Sequence, residues 1–309
     1  MIALARKLLK GLAYPESIKP AIARKFASAS SALVEDRISS VSQQLQCMLK
    51  QQYFALRGSA PASLPSFRDV SFRCYSQFEE DGILLFIFSL VGERTRRVVE
   101  IGAGNGRECM AANLIINHGW QGYLFDGDAE NLAKGSNFFA HHADTSVMPP
   151  IFRHAWITAE NVNDVLRQAG AEGEIDLLSL DIDGNDYWVW KAISIIHPRV
   201  CVFETHDIIP GDMALTIPYD PQFSAWDKPY PDSEFRSVSL KAMVNVSREK
   251  GYRLVGSHRR GFNVFFMRDG VGRDHFPEVS IASVHDNPWT RYGQLHRWPK
   301  VAQYPWVRV

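Results

Sequence analysis

Seven short apolar runs punctuate the chain between residues 97 and 269: "RVVEIGAG", "GYLFDGD", "FRHAWIT", "IDLLSLDIDG", "RVCVFETHD", "GYRLVGSH" and "FNVFFMRD". The first five are continuous in apolar character, as strands covered on both faces are, and helix-length stretches separate them. Alternation of this kind predicts an α/β fold built on a doubly wound, seven-stranded, mostly parallel sheet. Only the few residues around "RRGF" lie between the last two runs, so these should form an antiparallel C-terminal hairpin. Ahead of the first run, "YSQFEEDGILLFIFSLVG" offers Ser76 with Glu79 three residues on, the spacing of a capping box, before an apolar helix.

The flanks differ in texture. Residues 1–66 read as an N-terminal helical extension ending in the linker "GSAPASLPS", residues 67–275 as the sheet domain, and residues 276–309 as a tail packed on it. Leu33, Ile38, Val41, Leu45 and Met48 recur at intervals of three to five, which suits one helix face. Such helices could pack on the body, pair with a second copy of the chain, or lie on an anionic membrane surface. The opening "MIALARKLLKGLA" is amphipathic, but Arg6, Lys7 and Lys10 interrupt it, unlike a secretory signal. Lys+Arg and Asp+Glu both number 34, which gives no electrostatic reason to expect nucleic acid. Cys47, Cys74, Cys109 and Cys201 are scattered without a CxxC pair, which predicts buried thiols in a cytoplasmic protein, with contact at the inner membrane face left open.

The first run ends in "EIGAGNG", with glycine at positions 102, 104 and 106 where a strand should turn into its helix. In open α/β sheets ligands bind at the carboxyl ends of the strands, and glycine there lets backbone approach a ligand closely. Glu100 is expected to face that mouth. The second run ends in Asp126 and Asp128, placed to accept hydrogen bonds from the hydroxyls of a ribose. A glycine loop followed by such an acid predicts a nucleoside-bearing cofactor.

With the antiparallel hairpin, this pattern resembles the class I S-adenosylmethionine-dependent methyltransferases. The stretches "YSQFEEDGIL", "GWQGYLFDGD", "WITAENVNDVL", "DLLSLDIDGNDYWVW" and "GFNVFFMRD", over roughly residues 70–270, look like the FkbM-type members in particular. That resemblance implies O-methylation of a hydroxyl on a sugar, glycan or other small secondary metabolite. It matches Glu100, Gly102, Ala103, Gly104 and Gly106 to the loop holding the methionine part of S-adenosylmethionine, and Asp126 to the ribose-binding acid. It also puts Gln77 and Glu80 near the methionine end, and Thr158 or Glu160 near the adenine.

"SLDIDGND" and "VFETHD" bring Asp181, Asp183 and Asp186, then Glu204, His206 and Asp207, to two neighbouring strand tips. Three readings stay open at this point. Asp181, Asp183 and Glu204 could hold Mg²⁺ that chelates the acceptor's oxygens. His206, with Asp181 and Asp183 beside it, could act as a metal-free base. Asp181 and Asp183 could simply cap the next helix. Gly184 is expected to make the sharp bend of that turn. Tyr187, Trp188 and Trp190 read mainly as core. Residues 207–236 are too long and aromatic-rich for an ordinary loop and predict a lid, with Tyr219, Phe223, Trp226 and Tyr230 for sugar faces and Asp220, Asp227 and Lys228 for hydroxyls. Two other functions compete: non-methylating metal chemistry on the same fold, and a scaffold recruited through the N-terminal helices.

Overall fold

The computed structural model describes residues 41–225 and 234–309. The chain divides into two compact units, Met1–Leu49 and Lys50–Val309. Of the first, residues 41–49 are described; they are helical, and Val41, Leu45 and Met48 are exposed on them. Leu33, Ile38 and the opening basic segment lie outside the described residues, as do Trp226, Asp227, Lys228 and Tyr230 of the long loop.

In the second unit all seven apolar runs become strands. They are β1 (Arg97–Ile101), β2 (Gln121–Asp126), β3 (Ile151–His154), β4 (Gly173–Leu180), β5 (Ile196–Glu204), then, past a two-residue strand β6 (Leu215–Thr216), β7 (Tyr252–Ser257) and β8 (Asn263–Arg268). The sheet order is β3-β2-β1-β4-β5-β8-β7. Strands β1 to β5 pair in parallel, and β8 inserts antiparallel between β5 and β7. Burial follows this order. β4 and β5 are buried along most of their length, whereas β3 is an edge whose Arg153 and His154 are exposed, so it is not covered on both faces as expected.

Helices flank both faces: α1 (Glu80–Val91), α2 (Ala112–His118), α3 (Ala129–His141), α4 (Val162–Gln168), α5 (Asp186–Ala192), α6 (Leu240–Glu249) and α7 (Pro288–His296). On one face Val99, Ile101, Leu178, Leu180, Cys201 and Phe203 pack with Leu166 of α4, Tyr187 and Trp190 of α5 and Met243 of α6. Burying each such side chain is worth about 1.5–3 kcal/mol. Tyr187 and Trp190 are core, as read from their spacing, and Trp188 is only partly buried. The other face reaches α1 through a chain of rings, Phe265 to Phe67 to Phe276 to Phe86, with centroids 5.4, 5.9 and 5.7 Å apart. Helix α1 is buried from Glu80 through Leu90, which explains why its sequence is apolar all round.

Its start departs from expectation. Glu79 is the N-cap and makes no side-chain cap bond. Ser76 turns instead to Asp81, whose Oδ2 accepts the backbone N–H groups of Cys74 (2.6 Å), Tyr75 (2.7 Å) and Ser76 (2.9 Å). Four bonds to one carboxylate, with the Asp81 N–H returned to the Ser76 hydroxyl, outcompete the reciprocal pair of a capping box. The tail folds back: β9 (Val307–Arg308) pairs with β6, and Trp306 meets Phe235 edge-on at 4.7 Å.

Candidate active site

The carboxyl ends of β1, β2 and β4 open into a cavity of about 430 Å³, whose walls include Gly102, Gly104, Asp126, Asp128, Trp156, Asp181, Asp183, Asn185 and Phe223. Cavities of roughly 300–1,000 Å³ take cofactor-sized ligands.

The three glycines of the first turn all have positive φ (88°, 54° and 71°), but they serve different ends. A Cβ on Gly102 would lie 1.7 Å from the Asp181 carbonyl oxygen, so this glycine lets β1 and β4 close on each other. A Cβ on Gly106 would strike the Phe139 ring at 2.8 Å, so this one admits α3. A Cβ on Gly104 would meet nothing nearer than the Glu108 carbonyl oxygen at 3.9 Å. Of the three, Gly104 is the one that leaves bare backbone facing empty space.

Asp126 closes β2 beside it. Its Oδ2 accepts the Gly104 N–H at 2.7 Å, and its Oδ1 accepts the Asp128 N–H at 2.8 Å and Asn131 Nδ2 at 3.3 Å. The carboxylate is thereby locked at the cavity wall with one lone pair of Oδ2 left to accept. Asp128 also lines the cavity, but its carboxylate caps α3, accepting from Glu130 and Asn131 N–H. Glu100 does not face the mouth. Strand alternation sends it to the sheet face opposite Val99 and Ile101, where it is buried and accepts the N–H groups of Met110 (2.9 Å) and Ala111 (2.7 Å) and the Cys109 thiol (3.1 Å). Burial pushes its carboxyl up to about 7. Glu100 therefore fastens the far end of the glycine loop and does not line the cavity. Ala103 is fully buried, its N–H given to the Phe125 carbonyl.

Thr158, Glu160 and Gln77 are also absent from the cavity wall. Glu160 accepts the Tyr219 hydroxyl, Thr158 N–H is held by Asn161 Oδ1 (2.8 Å), and Gln77 is exposed. Glu80 is fully buried, accepting Asn263 Nδ2 at 2.7 Å. What the cavity meets past β3 is Trp156, a half-exposed indole whose face covers Gly127 and whose Nε1 donates to the Pro221 carbonyl at 2.7 Å. Trp156 escaped the sequence reading, although its place two residues beyond β3 put it at a strand mouth.

The loop from Asp207 onward roofs the cavity with Phe223, Ser224 and Ala225. It is strapped down by Trp156, by Asn185 Nδ2 donating to the Asp220 carbonyl (2.7 Å) and by Trp188 Nε1 donating to that of Ile217 (3.0 Å). Gly184 makes room for this roof: a Cβ there would be 2.4 Å from the Phe223 ring. The left-handed bend of the turn falls on Asp183 instead (φ 55°), a residue type that tolerates it.

Asp181, Asp183 and Glu204 converge, with carboxylate oxygens all within 4.8 Å of one another. Burial and mutual repulsion raise the carboxyls of Asp181 and Glu204, Glu204 well above the ordinary range. Neither Asp181 nor Asp183 caps α5. Asp186 holds the turn, accepting Ile182 N–H at 2.9 Å and Gly184 N–H at 3.0 Å, and burial pushes it to about 7. The cluster's oxygens suit a hard divalent ion in kind. Asp183, however, is already ion-paired with Arg236, a cation 53 positions away that the sequence reading missed. A metal therefore does not fit the cluster as it stands.

His206 does not join the cavity. It is 5% exposed, and its Nε2 donates to the Glu234 carbonyl at 2.6 Å. Burial pushes its imidazole down to about 4. Asp207 likewise lies buried under α7, 3.3 Å from the Thr290 hydroxyl.

The sheet order, with one antiparallel strand inserted beside the last, settles the architecture. The fold is a Rossmann-like, doubly wound, mostly parallel seven-stranded sheet with an antiparallel hairpin at one edge. No family model matches the chain, and no curated protein does. Among solved structures it is similar to an O-methyltransferase from Bacillus cereus in complex with SAH (12% identity, 86% of this chain and 98% of that one, TM-score 0.40). It is also similar to a S-adenosylmethionine-dependent methyltransferase from Clostridium acetobutylicum (10% identity, 62% and 91%, TM-score 0.40). A third is the N-terminal domain of EvdMO1 with SAH and D-fucose (13% identity, 72% and 95%, TM-score 0.42). Likenesses of this degree carry nothing about activity.

Proposed function

We propose that this protein is an S-adenosylmethionine-dependent O-methyltransferase of the FkbM type, acting on a hydroxyl of a sugar, glycan or other small secondary metabolite. The observation that carries the reading is the open space at Gly104 beside the locked Asp126 carboxylate, at the mouth of a class I methyltransferase sheet. Bound there, the cofactor would supply an electrophilic methyl group on a sulfonium.

The chain's own residues divide the remaining work. Gly104 admits the cofactor without a side chain in its way, and the free lone pair of Asp126 Oδ2 accepts a ribose hydroxyl. Trp156 offers a flat apolar wall for the adenine. Asp181, which lines the cavity and is not the carboxylate that Arg236 pairs with, places negative charge at the mouth when ionised, which favours a cationic sulfonium. Asp181 lines the cavity, and its raised carboxyl is the base suited to take the acceptor hydroxyl's proton as the oxygen attacks in line. Phe223 and its neighbours exclude water over the site. Titration calorimetry with S-adenosylhomocysteine tests this: binding in the micromolar range is expected, and no binding at high micromolar concentration would retire it.

A further inference from the structure

We infer that Arg236 stands where a divalent cation would otherwise sit, so that the Asp181–Asp183–Glu204 cluster works without metal. Three carboxyl groups, with one oxygen of each within 4.8 Å of the others, repel as they ionise in a half-buried setting, and positive charge nearby relieves this. Arg236 supplies it. Its Nη1 binds Asp183 directly, and its charge also acts on Asp181 and Glu204. Both partners are largely withdrawn from solvent, with side chains 27% and 33% exposed, where the pairing is little screened.

The arginine is held by built structure on either side. Val238, two residues on, takes the His206 N–H on its carbonyl at 2.7 Å and bridges to Thr216. Two residues before it, Glu234 is gripped by Arg297 through Nε and Nη2 at 2.8 and 2.7 Å. The guanidinium is thus delivered to the cluster from the end of the roofing loop. A divalent ion binding the same oxygens would have to expel it from Asp183 or bear a second positive charge at its edge.

The consequence for the acceptor rests on the methyltransferase reading. Chelation by a metal demands two adjacent oxygens on the substrate, whereas a cluster compensated by arginine does not. An acceptor with one isolated hydroxyl therefore suffices.

The test is Mn²⁺ titration of the full chain, without cofactor, read from the free-ion electron paramagnetic resonance signal. Wild type and Arg236→Lys should show no site tighter than about 1 mM, while Arg236→Ala and Arg236→Gln should gain one ion per chain at least about tenfold more tightly, lost again with Asp183→Asn. Circular dichroism checks that each variant is folded. Stoichiometric submillimolar Mn²⁺ binding by wild type would overturn the proposal, a result readable even if the arginine variants do not fold. Folded Arg236→Ala and Arg236→Gln that bind none would overturn it as well. Since no cofactor is present, failure of the methyltransferase reading leaves this outcome unaffected.

Discussion

Replacing each glycine of the first turn by alanine should separate packing from ligand space. All three have φ between 54° and 88°, so each alanine bears a left-handed strain of about 1–2 kcal/mol. At position 102 the new methyl would lie 1.7 Å from the Asp181 carbonyl oxygen. Backbone there must move, and the Asp181 N–H bond to the Ile101 carbonyl (3.0 Å) is put at risk. Overpacking adds about 1–3 kcal/mol, so Gly102→Ala should lose about 2–5 kcal/mol, toward the upper end because the clash is with backbone. Gly106→Ala meets the fully buried Phe139 ring at 2.8 Å and should lose about 2–5 kcal/mol, toward the lower end because a side chain can shift. Gly104→Ala meets nothing nearer than 3.9 Å and should lose the strain alone, about 1–2 kcal/mol. Ligand affinity should run the other way. The Gly104→Ala protein stays folded, yet its methyl group enters the cofactor's space, and affinity for S-adenosylhomocysteine should fall at least about tenfold, or about 1.4 kcal/mol. Urea unfolding supplies the first series and calorimetry the second. If Gly104→Ala proved as destabilising as Gly102→Ala, or bound S-adenosylhomocysteine like wild type, the division of labour argued here would be wrong.

Two further substitutions probe the acids and the imidazole. Glu100 has an ordinary carboxyl pKa of 4.5 when unfolded and about 7 when buried, so the folded state holds its proton longer and stability from this group falls as pH rises from about 4.5 to 7. Urea unfolding of Glu100→Gln against wild type should shift in the variant's favour by about 3 kcal/mol between pH 4.5 and 8, and a gap that does not change with pH refutes this. His206→Gln keeps a donor for the Glu234 carbonyl, and turnover should stay within about threefold, whereas loss of a true general base costs about 10²–10⁴-fold. A fall of that size, or a rate inflection near pH 6.5 that vanishes in the variant, would restore His206 to the chemistry.

Several features follow from residues near in sequence. The seven strands and the hairpin are visible because buried parallel strands must be continuously apolar and a short connection can only reverse the chain. The placement of Gly104 and Asp126 at one mouth follows too, since consecutive parallel strands present equivalent ends to the same side. Alternation along β1 already implied that Glu100 shares a face with Val98 and not with Val99 and Ile101, so its true direction was available in the pattern.

Other features were settled by partners far apart along the chain. That Gly184 yields to Phe223, that Asp186 rather than Asp181 or Asp183 holds the turn before α5, and that Arg236 neutralises Asp183 depend on where a long loop returns across the sheet. His206 sits two residues beyond Glu204, yet one reaches the carboxylate cluster while the other is sealed beneath Glu234. Sequence alone determines periodicity and the ends of strands, because both arise from local backbone geometry. Which charges meet is decided only when distant segments pack, because a carboxylate takes whichever cation or N–H the fold brings within about 3 Å.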